Sequence, residues 1–164
     1  MSVETDGVEP DDVSRSADEL FATGAADEAI APEPPASTQG AAKQILVVDD
    51  SKMMRFAICE LLEKMGHIAI EAAGSIEGYE KAMETSPDLI LLDIEMPVQN
   101  GIELLIELRK TEKHKTTPVI ILTVSGDRYD IEAANALNVA DYMLKPPVPD
   151  KLKSSIAKVL NIPH

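Results

Sequence analysis

The stretch LILLDIEMP, residues 89–97, places a run of apolar residues directly before two carboxylates. Leu89 to Leu92 form an unbroken apolar run, which is typical of strands that are buried on both faces of a parallel sheet. Asp93 follows where this strand should end, and Glu95 comes two residues later. A carboxylate in this place is either a loop residue that faces water or one wall of a functional site.

On both sides of this stretch, strand patterns alternate with helix patterns. Short apolar runs indicate strands, and apolar residues three and four apart indicate helices. Ser75 is the candidate N-cap of one helix. The predicted strands are QILVV (44–48), HIAIEA (67–72), DLILL (88–92), PVIILT (118–123) and ADYML (140–144), and the predicted helices are 51–65, SIEGYEKAMETS (75–86), GIELLIELRK (101–110), DRYDIEAANALN (127–138) and VPDKLKSSIAKVL (148–160).

Five such β-α units predict an α/β fold, in which a doubly wound parallel sheet of five strands is covered by helices on both faces. In these folds the ligand crevice lies beyond the carboxyl ends of the strands, near the point where the strand order reverses. The residues that end the strands are therefore the first candidates for a functional site.

Charge and composition exclude several classes of protein. The 164 residues carry a formal net charge of −14, which argues against binding to nucleic acid or to an acidic membrane surface. Cys59 is the single cysteine, so no intramolecular disulfide can form. The N-terminus lacks the features of a secretory signal, and no apolar run is long enough to span a bilayer. We therefore expect a cytoplasmic protein that does not insert into membranes.

The first 42 residues differ in composition from the rest of the chain. They carry ten acidic side chains and one basic side chain, Arg15, and include the Pro- and Ala-rich segment APEPPASTQGAA. Such a segment buries too little apolar surface to offset its chain entropy, so we expect residues 1–42 to be a largely disordered extension and residues 43–164 to be the folded domain. Within the extension, SADELFATG (16–24) is either a short docking helix or a transient helical turn.

Polar residues stand at four of the five predicted strand ends: Asp49 and Asp50, Asp93, Thr123 and Lys145. Each has an ordinary explanation when it is taken alone. Acidic residues favour a helix N-terminus or a turn, threonine is a good strand former, and a lysine before proline is often a solvated charge.

Taken together, these five side chains indicate a phosphoryl site, because the predicted fold brings them to one edge of the sheet. Three close carboxylates stay ionised together only beside a cation, and hard oxygen ligands with room for water suit Mg²⁺. A hydroxyl and an ammonium near that cation suit the oxygens of a phosphoryl group.

The motifs VVDDS (47–51), LILLDIEMPVQNG (89–101), ILTVS (121–125) and DYMLKP (141–146) resemble those of the receiver domains of two-component response regulators, in the order and near the spacing of that family. The resemblance covers residues 44 to about 161 and implies a flavodoxin-like strand order, 2-1-3-4-5. It also implies a cis peptide bond between Lys145 and Pro146.

The same resemblance implies a role for each site residue. Asp93 would accept a phosphoryl group from a histidine kinase or a phosphotransfer protein, forming an acyl phosphate. Asp49, Asp50, Asp93 and the backbone carbonyl of Glu95 would hold Mg²⁺, with Mn²⁺ as an alternative metal.

The resemblance further implies a conformational switch. Thr123 and Lys145 would bind the new phosphoryl oxygens, and the ring of Tyr142 would turn in behind Thr123. The face that changes would be the fourth helix, fifth strand and fifth helix, to which an unknown downstream protein would bind. We expect a monomer or a weak dimer.

Three residues depart from the family pattern. Val124 is bulkier than the small residue usual after the threonine, and it could narrow the approach to Asp93. Glu95 could alter how water or a partner reaches the phosphoryl group, so both residues bear on the lifetime of the phosphorylated state. Pro147 stiffens the entry to the last helix. The chain ends just after that helix, so we expect a stand-alone receiver or a fragment cut at a domain edge.

The remaining candidates indicate no further site. His67, His114 and His164 have no metal-ligand spacing and are expected at the surface, and Cys59 is expected to be structural. Two other functions stay open. One is an adaptor with a receiver fold that acts through protein contacts without phosphotransfer. The other is a Mg²⁺-dependent phosphatase with an aspartyl nucleophile, against which the lack of a cap domain argues.

Removal of residues 1–42 is expected to leave the thermal unfolding midpoint of the folded domain nearly unchanged, because the composition of this segment does not support a packed core. Differential scanning calorimetry of the full chain and of residues 43–164 measures this difference. A large drop in the midpoint would show that the extension packs on the domain.

Overall fold

The computed structural model describes residues 40–163. They form five strands that alternate with five helices, as predicted. The predictions for residues 1–39 and for His164 lie outside the described residues. None of the helices within 40–163 is long and apolar enough to cross a membrane. The strands are β1 (Gln44–Val48), β2 (Ile68–Ala72), β3 (Leu89–Asp93), β4 (Val119–Thr123) and β5 (Asp141–Leu144), and the helices are α1 (Lys52–Lys64), α2 (Ser75–Thr85), α3 (Gly101–Lys110), α4 (Arg128–Ala136) and α5 (Pro149–Leu160).

The five strands form one parallel sheet in the order β2-β1-β3-β4-β5, which confirms the predicted architecture. Val48 pairs with Leu92, so the residues that follow them in the chain, Asp49 and Asp93, stand side by side at the carboxyl edge of the sheet. Thr123 pairs with Leu144, the residue before Lys145. The registers therefore bring the predicted site residues to one edge of the sheet.

Alternation along the strands builds two separate cores, one on each face of the sheet. In β1, Leu46 and Val48 pack on the face that is covered by residues of α2, α3 and α4. Ile45 and Val47 point to the other face, where residues of α1 and α5 cover them. Both faces of β3 and β4 are buried, which explains why their sequences are continuous apolar runs.

Side-chain caps set where three of the helices begin. The side chains of Ser51, Asn100 and Asp127 accept hydrogen bonds from backbone N–H groups in the first turns of α1, α3 and α4. The prediction for α2 was wrong by one residue, because Gly74 is its N-cap and Ser75 is its first residue. Ser75 is buried instead of capping the helix.

His114 is a core residue, so the prediction that it lies at the surface was wrong. Its side chain is 1% exposed. Nε2 lies 2.8 Å from the carbonyl oxygen of Ala82, and Nδ1 lies 3.1 Å from the hydroxyl of Thr117. Because a carbonyl can only accept, Nε2 carries the proton and donates it to Ala82. His67 is partly buried. Cys59 lies on α1 and is buried in the core, as expected for a structural residue.

The free energy of unfolding is expected to fall as the pH drops below about 6.5, because the folded chain resists protonation of His114. Burial lowers the pKa of His114, and the charges of Lys113 and Arg109 lower it further, against the opposing effect of the bond to Ala82. The unfolded chain, with an ordinary histidine pKa, binds the proton first. The stability that is present above that pKa is therefore lost as the pH falls toward the pKa of the folded state.

Urea unfolding at a series of pH values measures this loss. His114→Gln keeps a side-chain N–H for the Ala82 carbonyl, so its stability should depend less on pH than that of the wild type. His67→Gln separates the two histidines, because burial also lowers the pKa of His67 and its own share of the pH dependence is lost in this variant. A wild-type pH dependence in His114→Gln would assign the effect to other groups.

Candidate functional site

Four of the predicted site residues are withdrawn from water at the carboxyl edge of the sheet. Asp49 is 1% exposed, Asp93 is 2% exposed and Thr123 is 0% exposed. The side chain of Lys145 is also largely buried, whereas Asp50 is exposed at the mouth of the site. Buried ionic groups are rare outside paired or functional sites, so this cluster is the strongest candidate site within residues 40–163.

Lys145 holds the cluster together through its ammonium. Its Nζ lies 2.5 Å from Oδ2 of Asp49 and 3.0 Å from Oδ2 of Asp93. The backbone N–H of Lys145 donates to the carbonyl of Thr123, so the lysine is also tied to the end of β4. The peptide bond to Pro146 is cis, as the resemblance implied.

The pKa values in the cluster reflect burial and pairing. Burial raises the pKa of Asp93, and the charge and hydrogen bonds from Lys145 and from the N–H of Glu95 oppose this rise without cancelling it. Burial lowers the pKa of Lys145, but its bonds to Asp49 and Asp93 outweigh that effect and leave the pKa above its ordinary value. The two aspartates, Asp49 and Asp93, thus stabilise the ammonium form of Lys145.

Three carboxylates of the cluster could hold a metal ion. One oxygen each of Asp49, Asp50 and Asp93 lies within 4.8 Å of the others. One ammonium cannot neutralise three carboxylates, so the cluster keeps an excess of negative charge that suits a divalent cation. Hard carboxylate oxygens, with Asp50 open to water, fit Mg²⁺, which usually keeps several of its water ligands.

The β3–α3 loop (residues 94–100) wraps closely around Asp93. The backbone N–H of Glu95 donates to Oδ1 of Asp93 at 3.0 Å, while the Glu95 side chain is exposed. Gly101 closes the loop by donating its N–H to the carbonyl of Ile94. A Cβ on Gly101 would lie 2.1 Å from the carbonyl oxygen of Asp93, so only glycine fits at this position.

The segment after β4 connects Thr123 to Tyr142. The hydroxyl oxygen of Thr123 accepts from the N–H of Ser125 at 3.2 Å, and the hydroxyl of Tyr142 donates to the carbonyl of Ser125 at 2.7 Å. Tyr142 is partly buried against the core, whereas the side chain of Val124 is 67% exposed. Ser125 is therefore the residue through which Thr123 and Tyr142 are linked.

Three residues of the site were not predicted from the sequence. Arg55 donates to the carbonyl of Asp49, Gly101 packs on the backbone of Asp93, and Ser125 bonds to both Thr123 and Tyr142. Arg55 lies one turn into the helix that follows Asp49 and Asp50, and Gly101 is the last residue of the motif LILLDIEMPVQNG. These positions are weak signals, because all three residues act through backbone groups that a side-chain pattern does not reveal.

Comparison with known proteins identifies a common family. Residues 45–157 match the response regulator receiver domain. The chain is 34% identical over 119 residues to the chemotaxis protein CheY of Halobacterium salinarum, covering 73% of this chain and 98% of that protein. It is 33% identical over 117 residues to protein PilH of Pseudomonas aeruginosa, covering 71% and 97%. It is also 34% identical over 117 residues to an uncharacterized response regulatory protein of Vibrio cholerae, covering 70% of this chain and 47% of that protein, so the chain spans about half the length of that relative.

Solved structures agree with this match. The chemotaxis protein CheY4 of Vibrio cholerae superposes with a TM-score of 0.69 at 28% identity, covering 73% of this chain and 99% of that structure. A CheY-like response regulator receiver domain protein of Methanospirillum hungatei superposes with a TM-score of 0.70 at 27% identity, covering 74% and 95%. The doubly wound fold is thus shared with these proteins.

Gly101→Ala is expected to destabilise the domain by about 1–3 kcal/mol, because the new methyl group must displace the backbone of Asp93. Urea unfolding measures the loss, and amide chemical shifts should change around residues 93–95. Gly126→Ala is the matched control at the same edge of the sheet, since its Cβ would meet Leu144 at an ordinary 4.0 Å. Equal stability of the two variants would contradict the close packing at Gly101.

Proposed function

Because this chain belongs to the response regulator receiver family of two-component signalling, we propose that it accepts a phosphoryl group on Asp93 from a histidine kinase or a phosphotransfer protein. The single observation that supports this most strongly is the placement of Asp93 between an ammonium and two further carboxylates, at the edge of a parallel sheet. A buried carboxylate in that environment is a nucleophile whose product can be charge-balanced.

In the proposed reaction, a carboxylate oxygen of Asp93 attacks the phosphorus of a phosphohistidine. The new O–P bond forms as the P–N bond breaks, and the imidazole of the donor leaves with the electron pair of that bond. The products are an acyl phosphate on Asp93 and a free histidine on the partner. Asp49, Asp50, Asp93 and the backbone carbonyl of Glu95 would hold Mg²⁺, or Mn²⁺, which when bound offsets the negative charge of both reactants.

Lys145 and Thr123 would bind the oxygens of the transferred group. The lysine ammonium has three N–H donors, of which two are directed at Asp49 and Asp93, so it can also contact a phosphoryl oxygen. The hydroxyl of Thr123 can donate to the phosphoryl group while it accepts from Ser125. The contacts of Lys145 and Thr123 with the phosphoryl oxygens would exist only in the phosphorylated chain. They would therefore favour one conformation of the chain over the other after phosphorylation.

The proposed output is a change in the face formed by α4, β5 and α5. Thr123 and Tyr142 both bond to Ser125, so a movement of Thr123 toward the phosphoryl group alters the support of the Tyr142 hydroxyl. β5 is partly exposed, and Tyr142 lies within it. An unknown downstream protein would bind this face, and the chain would act as a monomer or a weak dimer.

In this proposal the chain catalyses its own phosphorylation and dephosphorylation instead of turning over a separate substrate. Val124 is exposed beside Thr123, and the Glu95 side chain is exposed beside Asp93. Both can influence how water reaches the acyl phosphate, and we propose that they set its lifetime. The receiver domain would comprise residues 43–164, with residues 1–42 as an N-terminal extension.

Incubation with Mg²⁺ and a small-molecule phosphodonor is expected to add one phosphoryl group to the wild type and none to Asp93→Asn. Intact mass spectrometry measures the adduct, and chelation of Mg²⁺ should abolish it. Asp88→Asn is the matched control, because Asp88 is an exposed carboxylate at the opposite end of β3.

Two results would contradict this assignment. An adduct that persists in Asp93→Asn would place the acceptor elsewhere. Absence of an adduct together with an unconsumed donor, even at early times, would favour an adaptor that acts through protein contacts. Donor consumption without an adduct would instead indicate rapid hydrolysis, and a Glu95→Ala variant should then accumulate the adduct.

A further inference from the structure

We propose that Arg55 is a positioning residue of the acidic cluster, and that its guanidinium suits the cluster to Mg²⁺ over a larger divalent cation. This inference rests on the proposed function, because it assumes that Asp49 and Asp50 hold the metal ion. Arg55 itself would not contact the ion. It would act through the peptide unit that joins the two aspartates.

The contacts of Arg55 are directed at this peptide unit. NH1 donates to the carbonyl oxygen of Asp49 at 2.8 Å, and this carbonyl belongs to the peptide between Asp49 and Asp50. Nε donates to Oε2 of Glu71 on the neighbouring strand β2 at 3.3 Å. The Arg55 side chain is 12% exposed. The Glu71 side chain is half-exposed, whereas the Asp49 carbonyl belongs to the backbone. A planar guanidinium that donates to two acceptors is restrained in its orientation, and so it can restrain the orientation of the carbonyl.

Asp49 is already restrained on every other side. Its backbone N–H donates to the carbonyl of Ala72, Oδ1 accepts from the N–H of Ser51 at 2.8 Å, and Oδ2 accepts from Lys145. Asp50 is exposed, and its Cα is attached directly to the peptide unit that Arg55 contacts. The bond from Arg55 would therefore restrain the backbone from which the Asp50 side chain extends toward the carboxylates of Asp49 and Asp93.

This geometry matters more for Mg²⁺ than for Ca²⁺. Mg²⁺ requires a nearly ideal octahedron with ligands at about 2.0–2.1 Å, whereas Ca²⁺ accepts irregular shells at about 2.3–2.6 Å. Loss of a hydrogen bond that orients a ligand should therefore weaken the binding of Mg²⁺ more than that of Ca²⁺.

The ratio of the two affinities separates geometry from charge. Removing the positive charge of Arg55 changes the electrostatic attraction for any divalent cation by a similar factor, so it leaves the ratio of the Mg²⁺ and Ca²⁺ affinities nearly constant. A change in the affinity ratio therefore reports a change in the geometry of the metal ligands and not in the electrostatic potential of the site. A general loss of stability would also leave the ratio unchanged.

Arg109 provides a matched control. Its guanidinium is also partly buried and donates to backbone carbonyls, those of Leu137, His114 and Thr117, at 3.0, 2.7 and 2.8 Å. These carbonyls lie at the C-terminal end of α4 and in the segment before β4, which is the edge of the sheet opposite the acidic cluster. Arg109→Met removes a comparable arginine without touching Asp49.

The experiment titrates the full-length chain with Mg²⁺ and with Ca²⁺ and follows backbone amide chemical shifts by NMR. These spectra also report whether each variant is folded. Arg55→Met is expected to lower the Mg²⁺/Ca²⁺ affinity ratio about tenfold, and Arg109→Met should keep the wild-type ratio. Arg55→Lys keeps the charge but lacks the two-point planar contact, so it should lower the ratio by about threefold and serves if the methionine variant does not fold.

An unchanged ratio in a folded Arg55 variant would overturn the role of Arg55 and leave the proposed function intact. A wild-type chain that binds no Mg²⁺ would overturn the proposed function together with this inference. An equal fall of the ratio in Arg109→Met would also overturn the inference, since Arg109 does not contact Asp49 and the ratio would then not report the bond between Arg55 and Asp49.

Discussion

The ammonium of Lys145, held between the buried carboxylates of Asp49 and Asp93, is the interaction on which the site depends. Two carboxylates so close together repel each other, and burial disfavours the charge of each of them. The lysine offsets both effects, but it can do so only if β1, β3 and β5 end at the same edge of the sheet. The pairing registers of the parallel sheet provide this alignment. The charge balance of the site therefore depends directly on the architecture of the sheet.

The sequence predicted the elements and their order because the signals for them are local. Apolar runs such as Leu89–Leu92 reflect burial on both faces of the sheet, and helical spacing appears within single segments. The convergence of Asp49, Asp93, Thr123 and Lys145 also followed, because parallel strands place their carboxyl ends at one edge. The order of the strands did not follow from periodicity. It came from the family resemblance, since alternation of apolar residues carries no information about which strands are neighbours.

The residues that sequence reasoning missed or misplaced are those whose contacts are distant in the chain or involve the backbone. His114 is in the core because it bonds to Ala82, 32 residues away, and a polar ring in a connecting segment gives no sign of such a partner. Arg55 donates to a peptide carbonyl. Gly101 is required because any Cβ at this position would collide with the backbone of Asp93. Arginine side chains reach many acceptors, so their partners depend on the folded structure and not on spacing.

The two sides of the site differ in how firmly they are built, and this difference suits a switch. Asp49 and Asp93 are attached to β1 and β3, whose residues are almost all fully buried. Tyr142 lies in the edge strand β5, which is only partly buried, and Lys145 directly follows that strand. In the segment after β4, Val124 is exposed. Segments with fewer buried contacts open or rearrange at lower free energy than core strands. A new charge at Asp93 would therefore leave the acidic side in place and act on β5, through Lys145 directly and through Thr123, Ser125 and Tyr142. The proposed phosphoryl transfer needs a rigid site and the proposed signal needs a segment that can move, and the order of the strands places both next to Asp93.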